Sequence, residues 1–92
     1  MSAKGAVLII DDEQEIRESL EQLLGAEGYR ISSAPTAEEG LRIVNEGVFD
    51  LVLLDISLPD RNGLEVLKIL RRDNPDVGVI MITAYDSSQM AF

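Results

Sequence analysis

A chain of 92 residues with 46% hydrophobic content and a net charge of −9 has apolar material for one core, far more than a disordered segment carries. It contains no cysteine and no histidine, which excludes disulfides, thiolate metal sites and imidazole bases and leaves carboxylates, hydroxyls and backbone groups for any chemistry. Seventeen acidic against eight basic residues repel phosphate backbones and anionic lipids, so no direct nucleic-acid or membrane binding is expected.

Met1 to Gly5 lacks the apolar stretch of a signal peptide, and no run approaches the ~20 apolar residues of a membrane span. A cytoplasmic location is expected. The first strand is read at Ala6 to Ile10, a continuous apolar run of the kind buried in parallel sheets, ending in Asp11-Asp12-Glu13. From Gln14 the pattern changes: Ile16, Leu20, Leu23 and Leu24 form one stripe of an amphipathic helix running to about Glu27. Gly28 follows where a helix C-terminus favours positive φ. Tyr29 to Ser33 reads as a short, less apolar edge strand, with Pro35 after it.

Thr36-Ala37-Glu38-Glu39 has capping-box spacing, in which Thr36 accepts the Glu39 amide and the Glu39 carboxylate reaches back. The second helix spans Ala37 to Glu46, with Leu41 and Val44 on its apolar side and Gly47 ending it. Leu51 to Leu54 is the third strand. Asp55 follows, then a loop with Pro59 and the turn pair Asn62-Gly63. Leu64, Leu67 and Leu70 mark the buried side of the third helix, Arg71 and Arg72 suit its C-terminal dipole, and Pro75 stops it. Val77 to Thr83 is a fourth apolar strand, and Asp86 to Gln89 reads as another helix start.

Strict alternation of strand and helix predicts an α/β fold, a doubly wound parallel sheet with right-handed crossovers. Ligands of such sheets bind at the carboxyl ends of the strands, near the switch in strand order. Asp11, Asp12, Asp55 and Thr83 all lie at such ends. In a flavodoxin-like order 2-1-3-4 the three carboxylates converge, at a cost in mutual repulsion that a hard cation relieves. Mg²⁺, with its preference for oxygen ligands, fits that seat and would bridge Asp55 to a phosphoryl group.

Taken singly, these residues have plainer readings. Asp11-Asp12 suits any helix N-terminus, Asp55 a turn, and Thr83 a strand-end hydroxyl bonded to backbone. Tyr85 fits half-buried core and surface contact equally. Their joint placement favours a site.

The runs Val7-Leu8-Ile9-Ile10-Asp11-Asp12-Glu13, Leu53 through Gly63 and Ile82-Thr83-Ala84-Tyr85 resemble, in order and spacing, the signatures of receiver domains of two-component response regulators. The resemblance covers the chain, 1–92, as one receiver domain. It implies Asp55 as phosphoacceptor, with the phosphoryl group coming from a histidine kinase or phosphotransfer protein. It implies Asp12 as a direct Mg²⁺ ligand, Asp11 as a ligand through water, and the Ser57 backbone carbonyl as a further ligand. Thr83 and Ala84 would bind the phosphate and carry the switch, and Ser57 and Tyr85 would modulate it. In the family, the switch draws an aromatic residue of the fifth strand inward.

Receivers also carry a fifth strand, a fifth helix and a lysine after that strand, and neither Lys4 nor Lys68 matches that lysine. The expectation is therefore an incomplete receiver, four strands and three helices with the start of a fourth, in which Asp55 phosphorylation is slower or absent. Its fourth strand would be an exposed apolar edge and its first helix would border uncovered apolar surface, favouring self-association. Two other functions compete: a phosphohydrolase, disfavoured because its general acid would stand at Ser57, and a dimerisation or interaction module independent of phosphorylation.

Overall fold

The computed structural model describes residues 4–82. In chain order these form β1 (Ala6–Ile10), α1 (Gln14–Ala26), β2 (Arg30–Ala34), α2 (Ala37–Glu46), β3 (Leu51–Asp55), α3 (Gly63–Asp73) and β4 (Gly78–Ile82). The helix start expected at Asp86 lies outside them. Among the described residues one parallel four-stranded sheet has the order β2-β1-β3-β4, the flavodoxin-like arrangement expected from the alternation. No helix among them is long and apolar enough to cross a membrane.

Burial follows from the position of each strand. All five residues of β1 are buried, because it lies between β2 and β3 and is covered on both faces. Since side chains alternate, Leu8 and Ile10 face one layer and Val7 and Ile9 the other. Leu8, Ile10, Val52 and Leu54 pack with Ala37 and Val44 of α2 and with Val66 and Leu70 of α3. Val7, Ile9 and Leu53 instead meet Leu20 and Leu24 of α1. β2 is less buried, as an edge strand of its composition should be.

The helix ends show what local sequence does and does not decide. Gly28 takes φ 96°, the positive value expected after α1, and Thr36 accepts the Glu39 N–H at 3.2 Å. The Glu39 carboxylate does not follow the capping-box expectation: it accepts from Arg42 at 2.7 Å, one turn ahead, where an ion pair is available. Gly47 ends α2 in extended backbone, φ −141° and ψ −178°, rather than in the left-handed form.

Two leucines depart from the expected stripes. Leu23 is 66% exposed and Leu64 56% exposed. At 100° per residue Leu23 lies to one side of the Leu20–Leu24 line, and the buried face of α3 runs through Gly63, Val66, Leu67 and Leu70 rather than starting at Leu64. Gly40 allows α2 to sit close on the sheet, since a Cβ there would lie 2.7 Å from Ile10 Cγ1.

Candidate functional site

The parallel register carries the ends of β1 and β3 to one edge of the sheet, with Ile10 beside Leu54. Asp11 continues the first strand by one step, its N–H donating to the Ala34 carbonyl at 3.1 Å. Asp55 closes the third, paired with Ile82 of β4. Asp11, Asp12 and Asp55 thus each offer a carboxylate oxygen within 4.8 Å of the others. These are the carboxylates that the sequence singled out.

Their surroundings are unequal. Asp11 is 4% exposed and Asp55 3% exposed, while Asp12 is open to solvent. Burial is the main force raising both the Asp11 and the Asp55 pKa, and the neighbouring charges of the cluster push the same way. Hydrogen bonds work against that rise. The Glu13 N–H donates to Asp11 Oδ1 at 2.9 Å, and the Ser57 N–H donates to Asp55 Oδ1 at 3.0 Å. A further offset for Asp11 is the positive charge of Arg17.

Three converging carboxylates, two of them desolvated, form a donor set of hard oxygens with an excess of negative charge that Arg17 offsets only at Asp11. That chemistry fits a small divalent cation.

The loop after β3 is held in several places. Ser57 and Asn62 form an isolated antiparallel bridge, the Gly63 N–H donates to the Ile56 carbonyl at 3.0 Å, and Asn62 Oδ1 accepts from Leu64 N–H at 2.8 Å, capping α3. Leu58 is buried in the core on the α2–α3 side. At the loop's apex the Asp60 carboxylate accepts from Ala37 N–H at 2.9 Å and Glu38 N–H at 3.0 Å. Those two donors hold the Asp60 pKa below the ordinary range.

Sequence reasoning did not single out Asp60 or Arg17. The partners of Asp60 lie 23 and 22 positions away, and Arg17 reaches back six positions to the Asp11 carbonyl, neither of which a local pattern marks. A weak signal existed, since Asp60 is an acid within the same loop as Pro59 and Asn62-Gly63. Ser57 is present at the site through its N–H, whereas Thr83, Ala84 and Tyr85 lie outside the described residues.

Comparison with known proteins gives a consistent result. Residues 7–92 match the response regulator receiver domain family. The chain is 44% identical over 84 residues to the transcriptional regulatory protein YkoG of Bacillus subtilis, covering 91% of this chain and 37% of that protein. It is 41% identical to the transcriptional regulatory protein DltR of Streptococcus agalactiae, covering 85% of this chain and 35% of the relative. The chain therefore spans about a third of the length of these relatives. Among solved structures it resembles the response regulator TrrA of Thermotoga maritima in complex with Mg²⁺-BeF, with a TM-score of 0.84, 39% identity and coverage of 100% of this chain and 77% of that one. It also resembles a chain of the complex between the histidine kinase ThkA and TrrA, with a TM-score of 0.82, 42% identity and coverage of 94% and 72%.

Proposed function

The chain belongs to the response regulator receiver domain family, and on that premise we propose that Asp55 accepts a phosphoryl group from a histidine kinase or phosphotransfer protein. Asp11, Asp12 and Asp55, with the Ser57 backbone carbonyl, would hold Mg²⁺ beside it. The observation that carries this reading is the convergence of the three carboxylates within 4.8 Å at the carboxyl edge of the sheet. Two further findings support it: TrrA, similar over the whole chain, was solved with Mg²⁺-BeF, and it also forms a complex with a histidine kinase.

In the proposed step an Asp55 carboxylate oxygen forms a bond to phosphorus while the bond from phosphorus to the donor's imidazole nitrogen breaks. The imidazole leaves with its electron pair and takes up a proton. The Ser57 N–H, bonded to Asp55 Oδ1 at 3.0 Å, orients the carboxylate. Mg²⁺, when bound, would neutralise charge on the transferring phosphoryl oxygens. Turnover of phosphate monoesters is not part of the reading, because the residue two positions beyond Asp55 is Ser57, whose hydroxyl is no general acid at neutral pH.

The test is incubation with acetyl phosphate and Mg²⁺ followed by intact-mass measurement. One added phosphoryl group, formed slowly as the missing family lysine implies and absent in Asp55→Asn and in EDTA, is the expected result. An adduct that persists in Asp55→Asn would overturn the assignment.

A second reading, self-association, draws on one observation: Ile80 of β4, the last strand of the four in sheet order, is 51% exposed. Sedimentation of the 92-residue chain and of Ile80→Lys checks it, with a dimer expected for the former and a monomer for the latter.

A further inference from the structure

The turn between β1 and α1 carries two of the three converging carboxylates, Asp11 and Asp12, yet α1 starts without a side-chain cap. Its N-cap residue, Glu13, makes no capping hydrogen bond through its side chain. Other contacts must fix the turn, and one residue supplies two of them. The Arg17 backbone N–H donates to the Glu13 carbonyl at 3.1 Å. The Arg17 guanidinium folds back and its Nη1 donates to the Asp11 carbonyl at 2.7 Å. The two acceptors bracket Asp12; the amide bond is the first i→i+4 bond of α1, and the guanidinium contact is what ties the Arg17 side chain back across the turn, beside the Glu13 N–H on Asp11 Oδ1 at 2.9 Å.

Arg17 is half-buried, unlike Glu13, Glu15 and Glu18 around it, which are exposed. It shares the inner side of α1 with Leu20 and Leu24, which pack on Val7, Ile9 and Leu53. That packing fixes the helix, and therefore the origin of the arginine side chain, relative to the sheet. The 2.7 Å distance to the Asp11 carbonyl is that of a short charge-assisted hydrogen bond.

We propose that Arg17 is a positioning residue for the divalent cation, holding the Asp11–Asp12 turn in the geometry that aims both carboxylates at one point. It acts through the Asp11 carbonyl. The inference rests on the reading above that the acidic cluster binds Mg²⁺.

Charge and geometry make opposite predictions for this residue, which makes the idea testable. A cation close to the cluster repels Mg²⁺, so removing it would tighten binding if charge were its only influence. Removing it from a positioning role would weaken binding, by about tenfold if it resembles other groups that orient metal ligands. Arg17→Met keeps an unbranched apolar stem and loses the guanidinium; Arg17→Lys keeps the charge without the planar fork.

Calorimetric Mg²⁺ titration of the 92-residue chain and of both variants separates the possibilities. Each is assayed below its own unfolding transition, measured in EDTA. Weakening of about tenfold in Arg17→Met, with Arg17→Lys between it and the wild type, is the expected outcome. Arg17→Met binding as tightly as the wild type, or more tightly, overturns the proposal while leaving the metal site intact. Should Arg17→Met fail to fold, Arg17→Lys decides: weaker binding supports the role and unchanged binding removes it. A wild-type chain that binds no Mg²⁺ overturns the metal reading itself, and this inference with it.

Discussion

The Asp60 carboxylate and the Ala37 amide, 23 positions apart, meet at 2.9 Å, so the loop that leaves Asp55 also caps the second helix. With Glu38 bonded to the same carboxylate at 3.0 Å and Glu39 to Thr36 at 3.2 Å, the first turn of α2 has its amides satisfied from two separate segments. The acidic site and the start of α2 therefore share a loop. One end supplies Ser57 to the acidic site, and its apex secures a helix.

Loss of that clip is predicted to be measurable. Asp60→Ala should destabilise the fold by about 1 kcal/mol, the usual scale of a lost N-cap partner. Because the folded-state Asp60 pKa is depressed, its contribution is present above the ordinary value of 3.8 and is lost as pH falls through the lower folded value. Urea unfolding of wild type and variant should show the difference near neutrality and not in strong acid. An unchanged difference across that range would mean the carboxylate acts by something other than its charge.

The buried carboxylates carry the opposite sign. Asp11 and Asp55 have folded-state pKa values raised above 3.8, so the native state retains protons that the unfolded chain has released. Stability without metal should fall as pH rises from 3.8 through the folded values, with the full penalty above them. Asp55→Asn, which keeps an acceptor for the Ser57 N–H, should stabilise the metal-free protein by about 1 kcal/mol near neutral pH. That gain should vanish in strong acid, and its persistence there would rule out electrostatics as the cause.

Divalent metal should reverse this. At a free Mg²⁺ concentration a hundredfold above its Kd, the folded state gains about 2.7 kcal/mol. Thermal melts in Mg²⁺ and in EDTA should differ accordingly for the wild type, and hardly at all for Asp12→Ala. A variant that still responds fully to Mg²⁺ would place the ion elsewhere.

Gly63 is a place where a single methyl should affect fold and site together. A Cβ there would lie 2.7 Å from Ile56 Cα and 2.8 Å from the Asp55 carbonyl oxygen, and backbone atoms cannot swing aside as a side chain can. Gly63→Ala is predicted to cost about 1–3 kcal/mol and to weaken Mg²⁺ binding by displacing Asp55. Gly25→Ala is the control, since nothing lies within 4 Å of its added Cβ. Equal behaviour of the two variants would count against the close-approach argument.

Much of the molecule was legible in the sequence because its signals are local. The apolar run of Ala6 to Ile10, the Thr36 cap, the positive φ of Gly28 and the alternation of strands with helices each depend on neighbours within a few positions. So does the termination of two apolar strands by Asp11 and Asp55, and strand order then brings those ends together. Leu23 and Leu64 were misread as buried because hydrophobicity tells which residues can enter a core, whereas the angle at which a helix lies on the sheet decides which do.

What only the tertiary structure decided is how distant groups meet. The sequence determined that carboxylates stand at strand ends. It did not determine that Asp60 would cap α2 or that Arg17 would turn back onto the Asp11 carbonyl. Those contacts depend on the docking of α1 and α2 against the sheet, since a hydrogen bond is set by distances of a few ångströms and no period in the chain encodes such a distance. Asp11 and Asp55 were visible as acids; their burial, and so their raised pKa, arose only when the strands beside them closed.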